Sequence, residues 1–186
     1  MNDTPMSVLL LTGTVAAGKT TVAGEIGEIL PPERAIACID LDQLGWAFIP
    51  GAPDERIFKL RTDNLAAIWP NLRSAGFEHV VISGAISTIE QRHDVHDAIG
   101  GAPLTVVRLV TSPSLLEARL RRRDAGRLLE DHLAIRPELE RSLDQSGLAD
   151  FRVSNDDRPP GEVAHEVLQR VGWTDAADHA ERASLG

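Results

Sequence analysis

Five short apolar runs without polar alternation constrain the fold of this chain more than any other feature. They stand at residues 8–11, 35–39, 80–82, 104–110 and 151–153. Strands with helices on both faces have this character, whereas a strand with one solvated face alternates apolar and polar residues. Helical patterns fill the intervals at residues 19–30, 54–74, 87–99, 112–124, 128–143 and 161–171. The pattern therefore predicts an α/β fold of three layers, a parallel sheet with helices on either side.

Composition limits the size of the protein and its partners. With 186 residues, 42% of them hydrophobic, the chain suits one domain, which we place at residues 1–173 and follow with a polar tail at residues 174–186. The net charge of −9 disfavours broad contact with nucleic acid or an anionic membrane. No apolar run reaches the roughly eighteen residues of a membrane span, and the first five residues carry no basic group. We therefore expect a cytoplasmic protein with neither nucleic acid nor a membrane as a partner.

Two local patterns predict the surroundings of single residues. Cys38 is the only cysteine and lies inside an apolar run, which excludes a disulfide framework and predicts a buried structural thiol. Pro113 suits the first turn of the helix at residues 112–124, and Ser114 precedes Glu117 by three residues, the spacing of a capping box.

The turn after the first apolar run has the pattern of a phosphate-binding loop, G-x-x-x-x-G-K-[ST]. Backbone N–H groups in such a turn and the positive end of the following helix both point towards one place, where the oxygens of a triphosphate can lie. Lys19, one of only two lysines in the chain, would bridge the β and γ phosphates, and the Thr20 hydroxyl would face Mg²⁺. The loop consists of Gly13, Thr14, Val15, Ala16, Ala17, Gly18, Lys19 and Thr20.

Two carboxylates follow the second apolar run with a spacing of two residues. This spacing places Asp40 and Asp42 on one face of an extended chain, at the strand ends where open α/β sheets bind their ligands. Mg²⁺ needs hard oxygen ligands, and phosphoryl transfer to an alcohol needs a carboxylate that takes the hydroxyl proton. We assign Asp40 to Mg²⁺ and Asp42 to the acceptor hydroxyl. The reverse assignment and a simple turn with an Asp helix cap stay open.

An arginine cluster lies in the fourth helical segment. Arg119, Arg122 and Arg123 are three and four residues apart and therefore share one stripe beside the apolar face. Such a stripe favours a mobile lid that brings guanidinium groups over the phosphates, with Gly126 as a hinge. The alternative is a solvated face paired with acidic side chains at 130, 131 and 138. A contact with RNA is disfavoured, since no aromatic residue interleaves with the arginines.

Further residues bear on the two substrates. The chain lacks the Asn-Lys-x-Asp pattern of guanine-specific sites, so adenine near residues 154–157 is the expected base. Trp46 and Phe48 follow the carboxylate pair and would line an acceptor pocket or pack in the core. Arg56, Lys59 and Arg61 form the basic group near that segment, as anchors of an anionic acceptor or as a solvated helix face.

With these motifs in this order, residues 7–173 resemble the small P-loop kinases: gluconate, shikimate, adenylylsulfate and nucleoside monophosphate kinases, and antibiotic phosphotransferases of the same fold. The resemblance implies a five-stranded sheet in the order 2-3-1-4-5, ATP and Mg²⁺ as cofactors, and a small arginine-bearing lid. It implies that Thr21 joins the phosphate-loop residues, that Asp40 and Asp42 match the acidic pair, and that Arg119 and Arg123 match the lid. Residues 82–85 lack the magnesium-linked Asp of many P-loop proteins, which leaves more of that role to Asp40.

The sequence therefore predicts a kinase, monomeric or homodimeric, that transfers a phosphoryl group from Mg²⁺-ATP to a hydroxyl of a small metabolite or natural product. Two alternatives remain: a nucleoside or nucleotide kinase, and a nucleotide-binding ATPase or regulatory module without an acceptor. The absence of the Asp-Gly-x-Pro-Arg signature of adenylate-type kinases counts against a nucleotide acceptor.

Overall fold

The computed structural model describes residues 6–30, 34–45 and 53–174. Its centre is a sheet of five parallel strands: β1 Ser7–Thr12, β2 Ile36–Asp40, β3 His79–Ser83, β4 Leu104–Val110 and β5 Phe151–Ser154. The strands lie in the order β2-β3-β1-β4-β5, so β1 is central and has Val81 of β3 and Thr105 of β4 beside its Leu9. The α/β class and the strand order 2-3-1-4-5 are both confirmed.

Six helices cover the two faces of the sheet: α1 Lys19–Ile29, α2 Asp54–Ala75, α3 Ile89–Ala98, α4 Pro113–Arg123, α5 Gly126–Gln145 and α6 Pro160–Val171. Alternate side chains of β1 point to opposite faces. Leu9 and Leu11 join a core with α1 and α6, whereas Val8 and Leu10 join one with α2 and α3. Both faces of β1 are therefore buried, which is why its sequence shows no polar alternation.

Some helix ends differ from the expected bounds. The expected helix at 87–99 begins at Ile89, because the Thr88 side chain accepts the Gln91 N–H (3.2 Å) and caps it. The capping box at Ser114 was wrong: Pro113 is the first helical residue, so Ser112 is the N-cap and Ser114 already lies inside α4.

The prediction of a buried thiol at Cys38 was also wrong, since this residue is exposed. Its strand, β2, is an edge strand of the sheet and pairs only with β3. The pKa of the Cys38 thiol is nevertheless raised, because the surrounding protein partly removes water from it.

Three sequence expectations fall partly or wholly outside the described residues. Trp46 and Phe48 are among them, as is the tail from residue 175 onwards. Among the helices that the structure does describe, none is both long and apolar enough to cross a membrane.

Candidate active site

The phosphate loop joins β1 to α1 and needs unusual backbone angles. Gly13 and Gly18 have φ values of +149° and +90°, and Ala16 adopts +65° without being glycine. A Cβ on Gly13 would lie 2.7 Å from the carbonyl oxygen of Leu109, so the loop packs directly on β4. Both glycines are therefore required by backbone conformation and by space.

The N–H groups of this loop are available to a ligand. Within the described residues, no hydrogen bond uses the backbone N–H of Val15, Ala16, Gly18 or Lys19 as donor. Val22 is the first residue of α1 whose N–H bonds within the helix, to Gly18 O at 2.9 Å. Free donors at a helix N-terminus form an anion-binding site, as the sequence motif predicts.

Lys19 lies across the same loop. Its ammonium group donates to the carbonyl oxygens of Gly13 (3.1 Å) and Thr14 (2.9 Å). Burial lowers the pKa of Lys19, and the negative charges of Asp42 and Asp40 partly oppose this effect. A partly desolvated ammonium interacts strongly with an anion, so its position suits contact with a phosphate.

Asn155, which lies in the segment expected near the adenine base, instead holds the phosphate loop. Its amide nitrogen donates to the carbonyl oxygen of Ala17 at 2.6 Å, and its side chain is buried. A Cβ on Gly18 would lie 2.5 Å from this nitrogen. The end of β5 is therefore an integral part of the phosphate site.

Arg119 joins this contact. Its guanidinium donates to the carbonyl oxygen of Asn155 (2.9 Å) and lies 3.5 Å from that of Ala16. The predicted lid residue Arg119 thus lies against the phosphate loop in this structure.

Asp40 lies beside the start of α1. The Thr20 hydroxyl donates to Asp40 Oδ2 at 2.9 Å, and the backbone N–H of Asp42 donates to Oδ1 at 3.0 Å. The predicted metal residues Thr20 and Asp40 are therefore adjacent. A hydroxyl and one carboxylate beside a phosphate site match Mg²⁺, which usually takes one or two carboxylates, phosphate oxygens and water. Among the described residues, no group of three or more His, Cys, Asp or Glu could hold a metal ion.

Asp42 forms an ion pair with Arg61 of α2, at 2.9 Å between Oδ1 and Nη1. Gly45 makes room for this arginine, since a Cβ there would lie 2.5 Å from Arg61 Cγ. Arg61 is thus the member of the basic group that faces the site, whereas Arg56 and Lys59 are exposed. Lys59 pairs instead with Asp63 at 2.7 Å.

Arg123 and His132 share a buried carboxylate. Asp124, whose side chain is 4% exposed, accepts hydrogen bonds from Arg123 Nε (2.7 Å) and Nη2 (3.0 Å), and His132 Nδ1 lies 2.7 Å from it. These bonds lower the pKa of Asp124 to about 2, and the bonds from Arg123 have the largest effect. Asp124 therefore fixes Arg123, one of the two arginines expected on a lid, at the junction between α4 and α5.

The remaining arginines of this stretch are exposed, as the alternative of a solvated, acid-paired face expects. Arg121 pairs with Glu117 on its own helix (2.7 Å), and Arg127 lies 3.7 Å from Asp131. In the part of the chain that the structure describes, Arg122 has no ion pair.

One open cleft of about 1350 Å³ brings the predicted site residues together. The phosphate loop, the carboxylate pair and the arginines of α4 line it, through Lys19, Thr20, Thr21, Asp40, Asp42, Arg119, Arg122 and Arg123. The loop residues Gly13, Thr14 and Ala17 are buried and do not line the cleft. The cleft also includes residues from α2, α3 and α5.

This topology and this loop define the class: the chain has the fold of the small P-loop kinases. No protein-family model and no curated protein sequence matches it. Among solved structures, a sugar kinase from Janibacter sp. is similar, with 16% identity, a TM-score of 0.64 and coverage of 89% of this chain and 94% of the other. The Deinococcus radiodurans tunicamycin resistance protein has 19% identity, a TM-score of 0.63 and coverage of 90% and 96%. A gluconokinase from Sinorhizobium meliloti has 25% identity, a TM-score of 0.56 and coverage of 89% and 91%.

Proposed function

We propose that this protein is a kinase that transfers the γ-phosphoryl group of ATP to a hydroxyl of a small organic molecule. The observation that carries the proposal is the placement of Lys19, the free loop N–H groups and Asp42 in one cleft. An ATPase needs only the phosphate loop. A phosphotransferase also needs a carboxylate beside the loop that can accept the proton of an alcohol. The names of the similar structures, a sugar kinase and a gluconokinase among them, support the same reaction class.

On the donor side, the loop N–H groups and Lys19 bind the phosphate oxygens and hold the terminal phosphorus in place. Asn155 and Arg119 keep the loop in this shape, since both bond to its carbonyl oxygens. Thr20 and Asp40 would hold Mg²⁺, which when bound supplies positive charge to the β and γ phosphates. Arg123, which Asp124 holds at the edge of the cleft, would add positive charge near the transferring group.

On the acceptor side, Asp42 accepts the proton of the substrate hydroxyl. The hydroxyl oxygen forms the new bond to the γ phosphorus as the bond to the β-phosphate oxygen breaks, and ADP leaves. Arg61 orients the Asp42 carboxylate through their 2.9 Å ion pair, which leaves the second carboxylate oxygen for the hydroxyl. We therefore propose Asp42 as the base and Arg61 as the residue that positions it.

The test is a phosphoryl-transfer screen with γ-labelled ATP and Mg²⁺. The acceptors are polyols, sugar acids, aminocyclitols, nucleosides, nucleoside monophosphates and neutral natural-product alcohols. We expect at least one non-nucleotide alcohol to be labelled, and Asp42→Asn to lower its turnover by about 10²- to 10⁴-fold while the ATP affinity is kept.

Asp63→Asn is the matched control, because Asp63 is an exposed carboxylate of α2 that pairs with Lys59 outside the cleft. Its turnover should be unchanged. Steady ATP hydrolysis that no acceptor alters would instead support an ATPase module. Equal loss of ATP binding and turnover in Asp42→Asn would remove the proposed role of this carboxylate.

A further inference from the structure

Five apolar side chains from α2 and α5 line part of the cleft. We use the name apolar wall for these five residues, which are Leu128, Ile135 and Leu139 on α5 and Ile57 and Phe58 on α2. The three α5 residues are spaced by seven and four positions, so they form one stripe along the helix, which His132 shares while bonding to Asp124. A folded chain gains nothing by holding such a stripe in water, which makes it informative at a binding cleft.

Exposure within the apolar wall is unusual for this protein. Leu128 and Ile135 are 48% and 47% exposed, and in the described part of the chain only Leu60 and Ile89 are other large hydrophobic residues of comparable exposure. Those two lie outside the cleft. Single exposed apolar residues need no explanation, but here the two most exposed ones lie on one wall of the proposed active site.

Charge on the acceptor side disfavours an anionic acceptor. Asp42 and Asp54 both line the cleft there, and Arg61 is already paired with Asp42. Among the described residues, the buried Arg61 Nε has no hydrogen-bond partner, and the Nη1 of the same guanidinium faces Asp42. A carboxylate or phosphate on the acceptor would compete with Asp42 for Arg61 and leave a negative charge without a partner.

Among the described residues, Arg122 is the cation of the cleft for which neither a hydrogen bond nor an ion pair is found. Arg122 follows Arg119 by three residues on α4 and therefore neighbours it on the helix surface. Arg119 contacts the phosphate loop, so Arg122 adds positive charge towards the nucleotide end of the cleft.

We infer that the phosphoryl acceptor is an uncharged alcohol with an apolar body, an inference that rests on the proposed function. Its hydroxyl lies at Asp42 and its aliphatic or aromatic body lies on the apolar wall between α2 and α5. The cleft volume of about 1350 Å³ exceeds the ~300–1,000 Å³ of ordinary single-ligand sites, which leaves room for an acceptor of this kind beside a nucleotide. Sugar acids and aminocyclitols, which have no apolar body, leave this wall in water.

The experiment measures kcat/KM for acceptors that differ in one property. The panel pairs glucose and gluconate with neutral methyl, butyl and phenyl glucosides, and adds neutral natural-product alcohols and an aminocyclitol. We expect neutral acceptors to be preferred and kcat/KM to rise at least tenfold from the smallest to the largest apolar body, since each buried methylene contributes up to about fourfold.

Ile135→Ser and Leu60→Ser form the matched pair of variants. Ile135→Ser should raise KM for the apolar acceptors roughly tenfold, with KM for ATP unchanged. Leu60→Ser, an exposed apolar residue outside the cleft, should change neither. Because Ile135 is about half exposed, the fold should tolerate the substitution, which a urea midpoint checks.

Three results would overturn the inference, and they differ in what they leave standing. Preference for gluconate or an aminocyclitol would refute the apolar acceptor while the kinase proposal stands. An equal rise in KM for ATP and for the acceptor in Ile135→Ser would mean that the α5 stripe serves closure of the cleft over both substrates and does not bind the acceptor. ATP hydrolysis with no transfer to any acceptor would refute the inference and the kinase proposal together.

Discussion

Replacing the buried carboxylate of the α4–α5 junction should destabilise the protein in a pH-dependent way. The folded state lowers the pKa of Asp124 from 3.8 to about 2. At about 1.36 kcal/mol per pKa unit, the ionised carboxylate contributes roughly 2.5 kcal/mol to stability as an upper limit. The main partner of Asp124, Arg123, is 52% exposed, so solvent screening keeps the contribution below this limit. Asp124→Asn should lower the free energy of unfolding by about 2 kcal/mol at pH 7, because an amide cannot accept from both Arg123 and His132 with a full negative charge.

The sign of the pH dependence follows from the lowered pKa. The stabilisation is complete well above pH 3.8 and is lost as the pH falls through 3.8 towards 2. Urea unfolding of wild type and variant at several pH values isolates Asp124, because the other carboxylates titrate equally in both. The difference should shrink to about half at pH 3 and nearly vanish at pH 2. Asp131→Asn is the control, since Asp131 is 65% exposed and 3.7 Å from Arg127, and it should cost less than about 0.5 kcal/mol. A loss for Asp124→Asn that is the same at pH 7 and pH 2 would refute the reasoning.

Two further substitution or modification experiments test the loop and the edge strand. Gly18→Ala should weaken ATP binding and lower the free energy of unfolding by about 1–3 kcal/mol, because φ is +90° and the new Cβ meets Asn155. Gly24→Ala, in open space on α1, should instead raise the free energy of unfolding by about 0.5–1 kcal/mol. Thermal melts and ATP titrations compare the two variants, and equal behaviour would contradict the loop geometry. Iodoacetamide should modify Cys38 in the folded protein, because the thiol is exposed. At pH 7.5 the reaction should be slower than with free cysteine, since the raised pKa of the thiol leaves less thiolate. A modification rate that stops rising with pH below pH 9 would show that the pKa is not raised.

The fold could be predicted from the sequence because its signals are local. Apolar runs such as residues 8–11 are continuous where both faces of a strand are covered, and that property does not depend on distant residues. The exposure of Cys38 could not be predicted in the same way. It depends on β2 being an edge strand, which is a consequence of strand order and not of the run itself.

The position of the phosphate loop could also be predicted, whereas the residues that hold the loop in place could not. Lys19 and Thr20 belong to a contiguous motif. Asn155 contacts Ala17 across 138 residues of sequence, and no local pattern indicates that pairing. Arg119, expected on a lid, contacts the loop for the same non-local reason.

A local signal for Arg61 was present. Phe58 and Leu65 on α2 are buried, and Arg61 lies between them at positions i+3 and i−4, on the inner face of the helix. Arg56 and Lys59 fall on other faces and are exposed. Helical periodicity could therefore have separated the one basic residue that reaches the cleft from the two that do not.

The dissociation constant for ATP in Lys19→Ala and Lys59→Ala, measured by titration calorimetry with Mg²⁺, tests the account most directly. These are the only two lysines of the chain. Lys19 lies in the phosphate loop, and Lys59 pairs with Asp63 on the exposed face of α2. Loss of a charged contact to phosphate should weaken ATP binding about ten- to hundredfold in Lys19→Ala and leave it unchanged in Lys59→Ala. Equal ATP affinity in the two variants would contradict the claim that this loop binds the nucleotide.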